Sequence, residues 1–247
     1  FTVPPVDLRR TLRGIRRSAH DPTTRLAGDG FWRASHTPDG PATLRVLTEP
    51  WGPVTEVVAE AWGPGAGAVL DRVPGMVGAR DRPEDFVAHH HVVSEVVRRS
   101  PGRRLPATGT LLELLVPTIL EQKVTGLEAW EAFRALTWRY GEDAPGPARL
   151  RIPPRPDRLA ELGYADFHPL GVERRRAEAI LRVCRRAERF EALLGSTPGA
   201  TRTALEQVPG IGPWTTTSVT LLAFGDRDAV GGGGFHLRHR VVSSLTR

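Results

Sequence analysis

The pattern of apolar and polar positions changes character about a third of the way along the chain. "GFWRASHTPDGPATLRVLTE", residues 30–49, alternates apolar and polar side chains on both sides of Pro38-Asp39-Gly40, which predicts a β-hairpin. "VTEVVAEAWG" predicts a further strand, and "GAVLDRVPGMVGARDRPEDF" a short helix followed by a loop. From about Asp85 the period becomes helical. "EDFVAHHHVVSEVVRR" repeats apolar residues three and four apart, and "TGTLLELLVPTILEQKVTGLEAWEAFRALTWRYG" is a long apolar stretch in which Pro117 predicts a kink. After the proline-rich "APGPARLRIPPRPDRL", the segment "GVERRRAEAILRVCRRAERFEALL" predicts one strongly amphipathic helix with arginine on its wet face. Two further helices, "TRTALEQ" and "PWTTTSVTLLAFG", flank the turn "VPGIG". No internal repeat or disordered linker interrupts the pattern. The expectation is an α+β chain: a small β-rich domain over residues 1–80, packed on a larger helical domain over residues 81–247.

Composition narrows the class. Hydrophobic residues make up 40% and charged residues 25% of the 247 positions, which suits a globular core. No apolar run is long enough to span a membrane, and no signal peptide is visible. The chain opens at Phe1, which leaves a processed or trimmed start open. The formal charge of +6 comes from 34 basic against 28 acidic residues, and Lys123 is the only lysine. An arginine-rich positive balance favours a polyanionic partner without proving one. The single cysteine, Cys184, excludes an internal disulfide and any cysteine-held zinc or iron–sulfur cluster. It continues an apolar helix stripe and reads as a buried thiol in a reducing compartment. The run His89–His91 has no carboxylate or cysteine at ligand spacing and reads as helix surface, so no metal site is expected.

The most specific string is "ALEQVPGIGPWTTTSV". A short helix ends near Gln207, glycines follow at 210 and 212, and Pro213 suits the first turn of the next helix. Glycine lets the backbone take positive φ and come close to a ligand, and amides at a helix N-terminus seat a phosphate. Gly210, Ile211 and Gly212 are therefore candidate backbone-phosphate contacts, with Thr215 and Thr216 as candidate hydroxyl donors. An ordinary tight turn between packed helices is the plain alternative for the two glycines alone.

The fuller string, helix–hydrophobic–Pro-Gly-hydrophobic-Gly–helix, resembles the helix–hairpin–helix DNA glycosylase superfamily. The similarity covers nearly the whole chain and is strongest to AlkA-type 3-methyladenine DNA glycosylases. "PPVDLRRTL" with the following hairpin resembles that family's N-terminal β domain, which is TATA-binding-protein-like. "LVPTILEQKVTGLEAW" resembles the helix and turn that carry a glutamine and the DNA-intercalating residue, here Gln122 and Lys123. The family more often has an apolar side chain at the second position. A solvated lysine at a helix end is the plain reading of Lys123. The resemblance places Trp214 and Phe235 in the pocket for the extruded base, where stacking and cation–π attraction hold an electron-poor alkylated purine. Core packing is the alternative for Trp214. It stands where bifunctional members carry a nucleophilic lysine, which implies monofunctional hydrolysis of the N-glycosidic bond and no strand cleavage.

The family's catalytic aspartate precedes an aromatic-His-Leu-like sequence. In "DAVGGGGFHLRHR" that position is Gly234. Three accounts fit: an engineered substitution, a natural lesion-binding protein without activity, and chemistry carried by another residue. Family members also continue through a further helix beyond the point where this sequence stops at Arg247. The resemblance otherwise implies a monomer acting on duplex DNA with damaged bases, in the cytoplasm at a bacterial nucleoid. It implies no cofactor beyond a monovalent cation at the hairpin. A catalytically inactive DNA-binding protein on the same scaffold is the second reading. An RNA-binding protein is the third; it lacks the stacking motifs of RNA-recognition modules.

Overall fold

The computed structural model describes residues 1–229 together with 242 and 243. Five antiparallel strands, β1 (Thr2–Val3), β2 (Thr24–Ala27), β3 (Gly30–Thr37), β4 (Gly40–Trp51) and β5 (Val54–Trp62), form one sheet in the order β1-β5-β4-β3-β2. The hairpin expected at Pro38-Asp39 is the β3–β4 connection, with Thr37 opposite Gly40. Gly40 has φ +121, and the Thr37 hydroxyl donates to its carbonyl at 2.8 Å, which fixes the turn. Alternation along β3 sorts its side chains. Phe31 joins Val46, Val57 and the buried face of helix α2 (Ala66–Met76), while α1 (Leu8–Leu12) closes one end of this core. Trp32 and Ala34 face the other way and pack on Leu150 and Ile152, beside the small hairpin of β6 (Glu142–Asp143) and β7 (Arg151–Ile152).

The second core is helical. It is built by α4 (Leu112–Leu120), α5 (Gly126–Tyr140), α6 (Pro156–Ala160), α7 (Tyr164–Phe167), α8 (Arg174–Cys184), α9 (Ala187–Glu191), α10 (Pro198–Glu206) and α11 (Pro213–Phe224), while α3 (His91–Arg98) precedes them and buries no residue. α4 is buried along its length and sits at the centre, against α5, α8 and α11. Glu113 in the first turn of α4 joins the two cores. It accepts from Arg33 Nη2 at 2.9 Å, Ser35 Oγ at 3.0 Å and the His36 amide at 2.8 Å, all on β3. Burial lowers the pKa of His36 beside it, outweighing the nearby carboxylates of Glu113 and Glu142, which raise it.

Three helix boundaries differ from the periodicity. The stretch from Asp85 is not helical until His91. Pro83–Asp85 is a single 3-10 turn, and His90 Nδ1 then accepts from the Val92 amide as an N-cap. The long apolar stretch breaks into two helices at residues 121–125, and Pro117 lies inside the first of them, α4. Lys123 has φ +55, and Thr125 opens α5 with a capping box to Glu128, so local turn chemistry sets the break. The arginine-rich helix ends at Cys184, and α9 starts separately at Ala187. Cys184 is buried, and burial pushes its pKa up to about 12.

Candidate nucleic-acid interface

The two candidate DNA-contacting segments lie side by side. α10 ends at Glu206, the chain turns through Val208–Ile211, and α11 starts at Pro213. Ile211 is buried, and its amide donates to Val208 O at 3.0 Å, so the turn is anchored from within. Gly210 has φ +97, and a Cβ there would meet the Ala179 Cβ at 3.1 Å. Glycine is required at this position both by conformation and by the close pass over α8. Gly212 differs: its backbone is extended, and a Cβ would meet nothing within 4 Å. Its side is open, so glycine there leaves room for an approaching group.

The N-terminus of α11 carries no side-chain cap. Among the described residues, the amides of Gly210, Gly212 and Trp214 meet no protein acceptor. Pro209 and Pro213 have no N–H to offer. Unpaired donors at the positive end of a twelve-residue helix make an anion seat.

Gln122 links this seat to the turn between α4 and α5. Its Nε2 donates to Gly210 O at 3.0 Å and to Thr215 Oγ1 at 2.8 Å, which uses both amide hydrogens. The next residue, Lys123, is exposed and held in a left-handed conformation at the tip of that turn. One side chain thus fixes Lys123 relative to the hairpin.

Thr215 and Thr216 do not present hydroxyl donors to a ligand. They are 2% and 0% exposed; Thr215 Oγ1 accepts from Gln122, and Thr216 Oγ1 donates to Glu206 Oε1 at 2.9 Å. Their amides both donate to Gly212 O, in the first turn of α11. Helical geometry explains this: they follow Trp214 on the face that turns inward, so they shape the hairpin from beneath. Trp214 itself is half-buried. Gly234 and Phe235 lie outside the described residues.

Other residues that build the interface had no local signal in the sequence. Arg17 reaches across from the N-terminal segment to Glu121, Nη1 to Oε1 at 3.0 Å, and braces the end of α4. Arg182 on α8 donates to Pro209 O at 3.2 Å and holds the hairpin from the other side. Downstream, Asp226 is paired with Arg202 and Arg227 with Asp81, which ties the chain after α11 to α10 and to the loop after α2. No group of three or more His, Cys, Asp or Glu residues suited to a metal ion occurs among the described residues.

No protein-family model matches the sequence, and no curated protein matches it. Solved structures do. A 3-methyladenine DNA glycosylase from Archaeoglobus fulgidus superposes with a TM-score of 0.80 over 100% of this chain and 87% of its own, at 16% identity. The chain has the fold of a DNA glycosylase. An 8-oxoguanine glycosylase/lyase from Clostridium acetobutylicum, solved with double-stranded DNA containing cytosine opposite 8-oxoguanine, matches at a TM-score of 0.70 over 98% of this chain and 80% of its own, at 12% identity. Its apo form matches at the same TM-score. At these identities the match establishes the fold.

Proposed function

We propose that this protein is a DNA repair glycosylase of the helix–hairpin–helix type that binds duplex DNA and extrudes an alkylated base such as 3-methyladenine. The observation that carries the reading is the uncapped N-terminus of α11, with the free amides of Gly210, Gly212 and Trp214 coupled through Gln122 to the exposed Lys123. A backbone phosphate accepts from the amides, and Lys123 enters the space the extruded base leaves. The five-stranded sheet is read as the TATA-binding-protein-like module of such enzymes. Trp214 and Phe235 are read as walls of the base pocket. The protein works as a monomer on nucleoid DNA.

Chemistry is assigned to monofunctional hydrolysis. The one lysine, Lys123, sits on the exposed turn and Trp214 stands after the hairpin, so no Schiff-base nucleophile is provided there. Backbone oxygens of the turn fit a monovalent cation: the carbonyls of Glu206 and Ile211 accept no hydrogen bond among the described residues. Such an ion would add positive charge next to the phosphate.

The second reading, a lesion-binding protein with little or no activity, is favoured by a specific observation. Gly234 stands in the sequence where the carboxylate is expected, and Asp226, which precedes it in the chain, is committed to Arg202 with its side chain 8% exposed. Base release from methylated duplex, measured beside binding to the same duplex, separates the two readings. Release of free methylated purine with no borohydride-trapped protein–DNA adduct supports the enzyme. Tight binding without release supports the second reading, and a trapped adduct overturns the monofunctional assignment.

A further inference from the structure

A cavity of about 460 Å3 lies away from the hairpin, between the β3–β4 turn, α2 and the outer ends of α4, α5, α6 and α9. That volume falls in the range of small-molecule sites. Its walls are largely apolar, with Val116, Phe133, Leu136, Leu159 and Leu194 among them. The charged groups at the cavity are unequally satisfied. Glu113 is held by Arg33, Ser35 and His36, and Arg155 is paired with Asp157. Arg72, from α2, is half-buried and makes no hydrogen bond or ion pair among the described residues. Its side chain lies along Gly109, where a Cβ would stand 3.6 Å from Arg72 Cγ. Gly109 has φ +62, so the backbone there resists a side chain that would displace Arg72.

Arg72 brings a guanidinium with no hydrogen-bonded or ion-paired partner among the described residues to the edge of an apolar chamber, where the Glu191 carboxylate faces it only through longer-range attraction, and a charge-assisted bond to a bound anion is the strong contact it has left to make. We infer that this cavity binds a small amphipathic monocarboxylate, its hydrocarbon body against Val116, Phe133, Leu136 and Leu159 and its carboxylate on the Arg72 guanidinium. A single guanidinium suits one negative charge better than a phosphate dianion, and Glu113 and Glu191 nearby disfavour further charge. Burial raises the pKa of Glu191, whose Oε1 accepts from the Leu112 amide at 2.9 Å, which lessens the charge opposing the ligand. The site uses none of the groups assigned to DNA and stands apart from that reading.

The probe is octanoate, with octanol as its neutral counterpart, titrated calorimetrically into the whole chain and into Arg72→Gln and Leu194→Trp. Arg72 makes no hydrogen bond or ion pair among the described residues and acts on Glu191 through its charge alone, so Arg72→Gln removes no fold contact, and circular dichroism checks both variants. The expected result is saturable one-to-one octanoate binding, weakened about ten-fold or more by Arg72→Gln and by replacing octanoate with octanol, as for loss of a charged hydrogen bond. Leu194→Trp, which fills the chamber, abolishes it. No saturable binding to the unmodified chain, or octanoate binding that Arg72→Gln or Leu194→Trp leaves unchanged, overturns the inference, as does equal binding of octanol.

Discussion

Replacing Gln122 with leucine keeps the bulk of the side chain and deletes the two N–H donors that reach Gly210 O and Thr215 Oγ1. Thr215 is 2% exposed, so water does not readily replace the lost partner, and a stranded buried polar group costs about 1–3 kcal/mol. Gly210 is half-exposed, its carbonyl can rehydrate, and its loss adds little. The expected destabilisation is therefore about 1–3 kcal/mol by urea denaturation. The effect on DNA follows from geometry. Gln122 fixes the Lys123 turn against the amides at the α11 N-terminus, so its loss lets the two contacts drift apart. About 1.4 kcal/mol of lost preorganisation is a ten-fold loss of affinity, read by fluorescence anisotropy on undamaged duplex at fixed salt. A double-mutant cycle with Thr215→Val isolates the shared bond, with an expected coupling of at least about 0.5 kcal/mol. A Gln122→Leu protein with unchanged stability and affinity, or an additive cycle, refutes the idea that this side chain joins the two contacts.

The two hairpin glycines should separate. Gly212→Leu points into open space and leaves the unfolding midpoint unchanged while weakening damaged and undamaged duplex alike, whereas Gly210→Ala is destabilising by about 1–3 kcal/mol because of its positive φ and the contact with Ala179. Native Cys184 should resist iodoacetamide near neutral pH and react only after denaturation, since the thiol is buried and its pKa is pushed up to about 12; rapid native labelling contradicts the packing. Glu191 has its folded pKa raised, first by burial and then by the charge of Glu113. Its contribution to stability is therefore full below the ordinary carboxyl value of 4.5 and is lost as pH rises through the folded value. Glu191→Gln, which can still accept from Leu112, should raise the urea midpoint near neutral pH and lose that advantage as pH falls towards 4.5; a gain that grows on acidification reverses the sign and refutes the assignment.

Much of this organisation could be read from short-range pattern. The β3–β4 hairpin followed from alternation around Pro38-Asp39-Gly40, and the α10–turn–α11 unit from two glycines and a proline at fixed spacing. What pattern reading missed depended on contacts between distant residues or on turn chemistry. Apolar periodicity runs through Pro117 and fades only where Lys123 takes a left-handed conformation and Thr125 caps a new helix. Thr215 and Thr216 were legible as polar residues beside the hairpin, but their direction depends on the helical phase of α11, which buries them. Arg17 meets Glu121 across 104 positions, and Gln122 meets Gly210 across 88, so no local motif announces either bond. Arg72 was one arginine among many until the fold placed it at a cavity with no hydrogen-bonded or ion-paired partner among the described residues.

The most direct test of the functional account is single-turnover release of 3-methyladenine from methylated duplex by the chain as it stands, by Gly234→Asp and by Gly232→Asp as a register control. Gly234 immediately precedes Phe235-His236-Leu237, where the resemblance places the carboxylate that stabilises the positive charge developing on the sugar. Release by the unmodified chain should be slow or absent, Gly234→Asp should gain at least ~100-fold, the lower range for one preorganised electrostatic group, and Gly232→Asp should gain nothing. Duplex affinity should stay level or fall slightly in both variants, because each adds a negative charge to a protein that binds a polyanion. Efficient release by the unmodified chain, or equal rates for all three proteins on duplex they bind, contradicts the assignment of Gly234 as the catalytic position.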